Sequence, residues 1–238
     1  MKIPFPFKKI LIAFIFLVFG AGCAGPGVYH RVGKGETLWR ISKTYGVDMQ
    51  DVAELNDIRD TTEITAGRLL YIPGVSRVKK VKPYVPPARK PAPPAEARKE
   101  EPAEPEEAEG RIMTQRDRFL WPVSGKVISN FGMRKGTRHG GIDIKATEGS
   151  PIKAADSGEV AYIDSDMRGY GKIVILKHFD GFFTVYAHNR ENLVKMGDKV
   201  EKGASIATVG STGNATTSHL HFEVRYGKTV RNPLFFLP

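Results

Sequence analysis

Residues 75–118 constrain this chain more than any other stretch. They begin VSRVKKVKPYVPPARKPAPPAEARKEEPAEPEEAEG, basic at the start and acidic at the end, with almost no large apolar side chain. Such a segment cannot bury enough surface to offset the entropy lost on ordering, so it reads as a proline-stiffened linker. A helical acidic stalk over 96–110 is disfavoured, because Pro102 and Pro105 would interrupt it. The chain must then fold as separate modules, at 27–74 and 119–238. Its 41% hydrophobic content is near the globular norm and sufficient for a core.

Residues 1–22 follow another pattern. MKIPFPFKK carries positive charge, ILIAFIFLVF is apolar, and small residues precede Cys23, which is the single cysteine. This is a secretory leader pattern, with an apolar run too short for a comfortable membrane span. One cysteine excludes an intrachain disulfide framework. The arrangement resembles bacterial lipoprotein signals. That resemblance implies removal of 1–22, lipidation of Cys23 and attachment to an envelope membrane. With Ala24 rather than Asp next, it implies the periplasmic face of the outer membrane. The net charge of +10 suits polyanionic surroundings such as cell wall or anionic lipid. No recognition helix or base-stacking motif is present, which disfavours nucleic acid as a partner.

The first module reads as strand, helix, helix, strand. YHRV is a short strand. Thr37 is placed to cap a helix carrying Leu38, Trp39, Ile41 and Tyr45 on its apolar side, with Trp39 read as core packing. Asp48 is placed to cap a second helix with Val52 and Leu55 inward, and Pro73 ends a closing strand in GRLLYIP. The spacing V-x-x-G-E-T-L-W-x-I-S, the Leu-Asn pair at 55–56 and the ending at 70–73 resemble the LysM domain. The resemblance implies binding of N-acetylglucosamine-containing glycans, peptidoglycan among them. The implied groove lies between two loops, one with Gly35, Glu36, Thr37 and Leu38, the other with Asn56 and Ile58. His30 is read as structural.

The last module shows short strand-like runs separated by Gly, Asn and Asp turns: KVIS, PIKAA, GEVAYI, KIVILKHF, FFTVYAH, ASIATVG and HLHFEVRY. These predict a mainly antiparallel β domain, and the whole chain is α+β and multidomain. HLHFEVRY alternates strictly. His219, His221, Glu223 and Arg225 fall on one face, and Leu220, Phe222, Val224 and Tyr226 on the other. Upstream, RHGGIDI puts His139 and Asp143 four residues apart with two glycines between, which would let the chain pass close to a metal. Imidazole nitrogen and carboxylate oxygen suit zinc, and a catalytic site needs three protein ligands with one open position. His139, Asp143 and one of His219 or His221 would supply that set.

The segments SNFGMRKGTRHGGIDI, GYGKIVILKHFDG, YAHN, VEKGASIATVGSTG and SHLHFEVR resemble the lysostaphin/LytM family of zinc metallopeptidases, across essentially all of 121–238. The resemblance implies Zn2+ held by His139, Asp143 and His221, with His188 and His219 as the catalytic pair, and hydrolysis of peptide bonds in peptidoglycan stems or crosslinks. His178 falls outside the family's catalytic positions and is read as structural. Glu223 is expected either to hydrogen-bond a ligand imidazole or to form a cross-strand ion pair with an arginine. The loops Met167–Tyr170 and Ser211–Thr217 are candidate walls of a substrate groove. The whole chain also resembles envelope lipoproteins that activate cell-wall amidases, and that resemblance implies an amidase as the alternative partner.

Overall fold

The structure is a computed structural model, and it describes residues 27–84, 112–134 and 136–238. The leader and Cys23, and residues 85–111 of the proline-rich stretch, lie outside the described residues. No helix among the described residues is long and apolar enough to cross a membrane.

The first module is built from β1 (Val28–Arg31), α1 (Leu38–Tyr45), α2 (Met49–Leu55) and β2 (Leu69–Ile72), with β1 and β2 antiparallel. Both expected caps form. The Thr37 hydroxyl accepts from Arg40 N–H, and the Asp48 carboxylate accepts from Asp51 N–H, satisfying donors that the first helical turn leaves open. In α1, Leu38, Ile41, Ser42 and Tyr45 form the buried i, i+3, i+4, i+7 stripe. Trp39 falls about 100° off that stripe. The expectation of core packing is therefore corrected: Trp39 is half-buried outside the core, with Lys43 Nζ 4.1 Å from its ring centroid. His30 is buried, bonded to the Tyr45 hydroxyl (3.0 Å) and the Glu36 carboxylate (2.7 Å), and is structural as expected.

The ends of the proline-rich stretch are not free. Val81 is buried in the first module's core, Lys79 N–H donates to the Tyr45 hydroxyl (2.9 Å), and Tyr84 N–H donates to Gly35 C=O (2.6 Å). Residues 75–84 thus strap the module that they follow. One buried valine and three backbone groups suffice, because the strap adds to an existing core rather than forming its own.

The second module is an antiparallel sheet. Its strands are β3 (Lys126–Ser129), β6 (Ile142–Lys145), β7 (Pro151–Lys153), β8 (Gly158–Met167), β9 (Gly171–Lys177), β10 (Phe182–Asn192), β11 (Lys199–Val200), β12 (Ser205–Val209), β13 (His219–Tyr226) and β14 (Thr229–Arg231). The main path runs β11-β8-β9-β10-β13-β6-β3, while β12 joins β10 to β7 and β14 lies on β13. A separate two-stranded hairpin pairs β4 (Gly132–Arg134) with β5 (Thr137–His139). Leu220, Phe222 and Val224 of β13 are fully buried in the main core, so the strict alternation read from the sequence is real. His178 is buried beneath Phe119 and bonded to Ser157 C=O (2.8 Å) and Thr184 Oγ1 (2.7 Å), in a structural role.

The modules touch. Leu55 was expected to face the first module's core, but it packs on the second module's core instead. Beside it Glu54 is 2% exposed, and it accepts from Gln50 Nε2 (2.8 Å) and from Asn232 N–H (3.1 Å). Burial pushes the Glu54 carboxyl up to about 7, with Asp51 adding repulsion, while Gln50, Arg231 and the Asn232 N–H pull the other way. A raised pKa favours the folded state where Glu54 is protonated. The contribution is complete below about 4.5, where the unfolded chain also holds the proton, and is lost as pH rises through about 7. Glu54→Gln is expected to abolish this loss, roughly 3 kcal/mol at full extent. Urea unfolding from pH 5 to 8.5 measures it, and equal slopes in wild type and variant would refute it.

Candidate metal centre

Asp143 and His221 are directly opposite each other on β6 and β13. Opposed residues in an antiparallel pair project from the same face, so the carboxylate and imidazole meet without further adjustment. His139 arrives from β5 through Gly140 and Gly141. A Cβ on Gly141 would lie 2.3 Å from the Phe222 carbonyl oxygen, so the chain there presses against β13. The glycines were expected to let the chain approach a metal. They serve close approach to the neighbouring strand, which brings His139 over Asp143.

The result is a triangle of potential ligand atoms. His139 Nε2 lies 3.1 Å from Asp143 Oδ1 and 3.1 Å from His221 Nδ1, and His221 Nδ1 lies 2.8 Å from Asp143 Oδ1. These three residues form the cluster that could hold a metal ion among the described residues. Ligands about 2.0–2.1 Å from one tetrahedral ion sit about 3.3 Å apart, so the triangle matches a zinc face within about half an ångström. Outer-face bonds orient both rings. His139 Nδ1 faces Asn130 C=O at 2.8 Å, and His221 Nε2 faces Glu223 Oε1 at 3.0 Å. Such partners select the tautomer and leave the inner nitrogen as donor to a metal. His139 would ligate through Nε2 and His221 through Nδ1.

Glu223 makes the expected bond to a ligand imidazole, whereas its arginine, Arg225, lies on the same strand rather than across from it. Glu223 is 1% exposed, bonded to His221, to Arg225 Nε (2.7 Å) and to the Tyr170 hydroxyl (2.8 Å). Burial alone would push its carboxyl up, but the His221 imidazole and the Arg225 guanidinium, with the Tyr170 hydroxyl, hold it at about 2. Burial would likewise raise Asp143 and lower His221. Their mutual hydrogen bond, with His139 and Glu223 adding to it, instead holds Asp143 well below the usual carboxylate range and His221 at about 9. The cluster is therefore electrostatically prepared for a cation.

His188 and His219 complete the site. Strict alternation along β10 would send His188 to the face opposite Ala187, which pairs with His221. A bulge between Ala187 and Asn189 reverses that, and His188 adopts φ 63°, a left-handed conformation uncommon for a side chain with a Cβ. Its ring then stands 4.8 Å from His219 and 5.9 Å from His221, centroid to centroid. His188 Nδ1 faces Thr212 C=O (2.8 Å) and His219 Nδ1 faces Thr217 C=O (2.7 Å), so Nδ1–H donates in each and Nε2 is left as an acceptor. Burial pushes the His188 imidazole down to about 4, with His221 and His219 adding repulsion, so it is neutral at pH 7. The two loops expected to wall a groove meet here: Asn214 N–H donates to Gly169 C=O (3.0 Å), and His188 N–H donates to Tyr170 C=O (2.9 Å). Tyr170, Thr212 and Thr217 were not singled out as site residues. Only their loops were, and nothing in the local pattern marks them.

The proposed glycan positions fall differently. Leu38 and Ile58 have their side chains buried in the first module's core, so only their backbone could face a ligand. Asn56 uses its side chain within the fold, donating to Val52 and Tyr71 carbonyls and accepting from Tyr71 N–H. Glu36 is bonded to His30 and Gly33 N–H. Gly35 is exposed and Thr37 half-buried, and Pro83–Tyr84 of the strap lie against Gly35.

Both modules have counterparts among known proteins. The model of peptidase family M23 matches residues 137–233, and that of the LysM domain matches residues 30–73. The uncharacterized lipoprotein YgeR of Escherichia coli K12 is 36% identical over 248 residues, covering 97% of this chain and 94% of YgeR. The murein hydrolase activator NlpD of the same organism is 47% identical over 121 residues, 50% of this chain and 31% of NlpD, so this chain spans under a third of that relative. The solved catalytic domain of lysostaphin from Staphylococcus simulans is 31% identical, with 46% of this chain and 87% of that domain covered and a TM-score of 0.42.

Proposed function

The chain belongs to the LysM-bearing lipoproteins of peptidase family M23, and from that membership we propose that it is a zinc-dependent peptidoglycan endopeptidase of the cell envelope. A peptidoglycan-related role follows from the two family models together. The reading of a hydrolase rests above all on one observation: His139, Asp143 and His221 converge on one point, and two further imidazoles stand beside it, His188 with its ring 5.9 Å from that of His221 and His219 with Nε2 3.8 Å from Asp143 Oδ1. A pure binding surface has no physical need for that convergence.

Bound zinc would polarise a peptide carbonyl and acidify a water. The protein's own part is to orient and to move protons. Glu223 and the Asn130 carbonyl hold the ligand rings in place. His188 and His219, each donating Nδ1–H to a backbone carbonyl, present Nε2 as proton acceptors that can afterwards return a proton to the leaving amine. The touching loops at 169–171 and 212–214 offer a wall beside His188 for a stem peptide. The first module would retain the glycan, and tethering would raise the effective concentration of an otherwise weak single binder. Lipidation of Cys23 would hold both at the membrane, and relatives named as lipoproteins support that location.

A second reading has its own support: NlpD, 47% identical over half of this chain, is named an activator of murein hydrolases. The readings separate in one experiment. The chain from residue 24 onward should release soluble fragments from purified sacculi. His219→Ala should keep one zinc per chain and lose release by on the order of 10²-fold or more. If wild type and His219→Ala both fail alone and both stimulate a cell-wall amidase equally, the activator reading replaces the peptidase.

A further inference from the structure

The three metal-binding side chains do not share one scaffold. Asp143 and His221 stand on β6 and β13, inside the large sheet. His139 stands on β5, in the two-stranded hairpin that, among the described residues, has no ladder to that sheet. Something other than strand pairing must hold the hairpin in register with the ligands beneath it. Two braces are internal: the Asn130 carbonyl on His139, and Arg134, which bonds Ser129 Oγ and reaches Asp143 Oδ2 at 3.4 Å.

The third brace comes from the other module. The end of α2 abuts β4, where Leu55 comes within 4.0 Å of where a Cβ on Gly132 would stand. Gly132 pairs with His139 across the hairpin. Leu55 is thus one residue pair away from a metal-binding imidazole. Polar contacts along the same helix hold Leu55 there. The Gln50 amide donates to Met113 C=O (3.0 Å) and accepts from Met113 N–H, Glu54 accepts from Asn232 N–H (3.1 Å), and Arg231 lies 3.4 Å from Asp51 and 3.9 Å from Glu54. Ile112 packs against both cores. A carboxyl group buried between modules is costly in any arrangement that leaves it without the Asn232 N–H and Arg231, so this contact is specific to one orientation.

We propose that the LysM module is a positioning element of the metal centre: docked through Gln50, Glu54 and Leu55, it steadies the hairpin that carries His139, so that metal affinity depends on the docking. The inference rests on His139, Asp143 and His221 being the metal set. Leu55 and Glu54 are positioning residues, and neither touches the ion. The glycan-binding module then contributes to the reaction site as well as to wall attachment.

Charge reversal tests this without activity assays. In the chain from residue 24 onward, zinc affinity is measured by competition with a chromophoric chelator. Glu54→Arg faces Arg231 with like charge and should weaken zinc at least tenfold. Adding Arg231→Glu should restore most of that loss. An unchanged affinity in Glu54→Arg would overturn the proposal. A loss that Arg231→Glu fails to rescue would overturn it too, since it would report damage to the module rather than undocking. A wild-type chain that binds no zinc would instead refute the metal reading itself, a result distinct from both.

Discussion

His221→Ala is expected to lower zinc affinity by on the order of 10³-fold and to end fragment release from sacculi. Two effects add. The substitution removes Nδ1, the nitrogen nearest to Asp143 Oδ1 at 2.8 Å, and leaves a pair of ligands split between the sheet and the hairpin. It also strips Glu223 of a hydrogen-bond partner, so two buried carboxylates face one another across the space the ring filled. In the metal-free protein that ring holds a proton up to about pH 9, so zinc uptake must displace it. Wild-type affinity should therefore rise with pH up to about 9, and that dependence should flatten in the variant. Chelator competition with elemental analysis checks both points. One zinc per chain at near wild-type affinity in His221→Ala would remove this residue from the ligand set.

Glu223→Ala should produce the largest loss of stability of any single change in the site, about 3–5 kcal/mol by urea unfolding of the metal-free protein. Its carboxylate is the common acceptor for His221 Nε2, the Arg225 guanidinium and the Tyr170 hydroxyl, all within 2.6–3.0 Å. Removal leaves a half-buried guanidinium without its main counter-charge, and charge held partly away from water tolerates this poorly. The same change should weaken zinc by about 10–100-fold, because the ring that Glu223 orients is then free to turn. Glu223→Gln keeps the volume and one acceptor but loses the charge, and should fall between. Stability within 1 kcal/mol of wild type in Glu223→Ala would mean that the network contributes little to the fold.

Parts of this site could be read without coordinates. The alternation over 219–226 is a period-two signal carried by each residue's own chemistry, and the buried Leu220, Phe222 and Val224 obey it. The capping roles of Thr37 and Asp48 are likewise local, as each serves a backbone N–H three residues on. Other features were hidden because they depend on distant backbone. His188 would point away from the site if β10 kept its alternation, and the bulge that turns it is set by pairing with β9 and β12. Trp39 looked apolar enough for the core, but helix geometry places it beside the stripe rather than in it.

The sequence alone determined two modules of α+β character, a polar face on one strand of the second, and a set of imidazoles and carboxylates sufficient for a metal. It could do so because hydrophobic period, caps and residue type act over a few neighbours. Only the tertiary structure decided that Asp143 lies opposite His221, that a bulge delivers His188, that residues 75–84 strap the first module, and that Leu55 leaves that module's core to lean on the hairpin bearing His139. Each of these is a meeting of residues far apart in the chain. Such meetings are set by strand register and by the summed packing of whole modules, which no short window of residues contains.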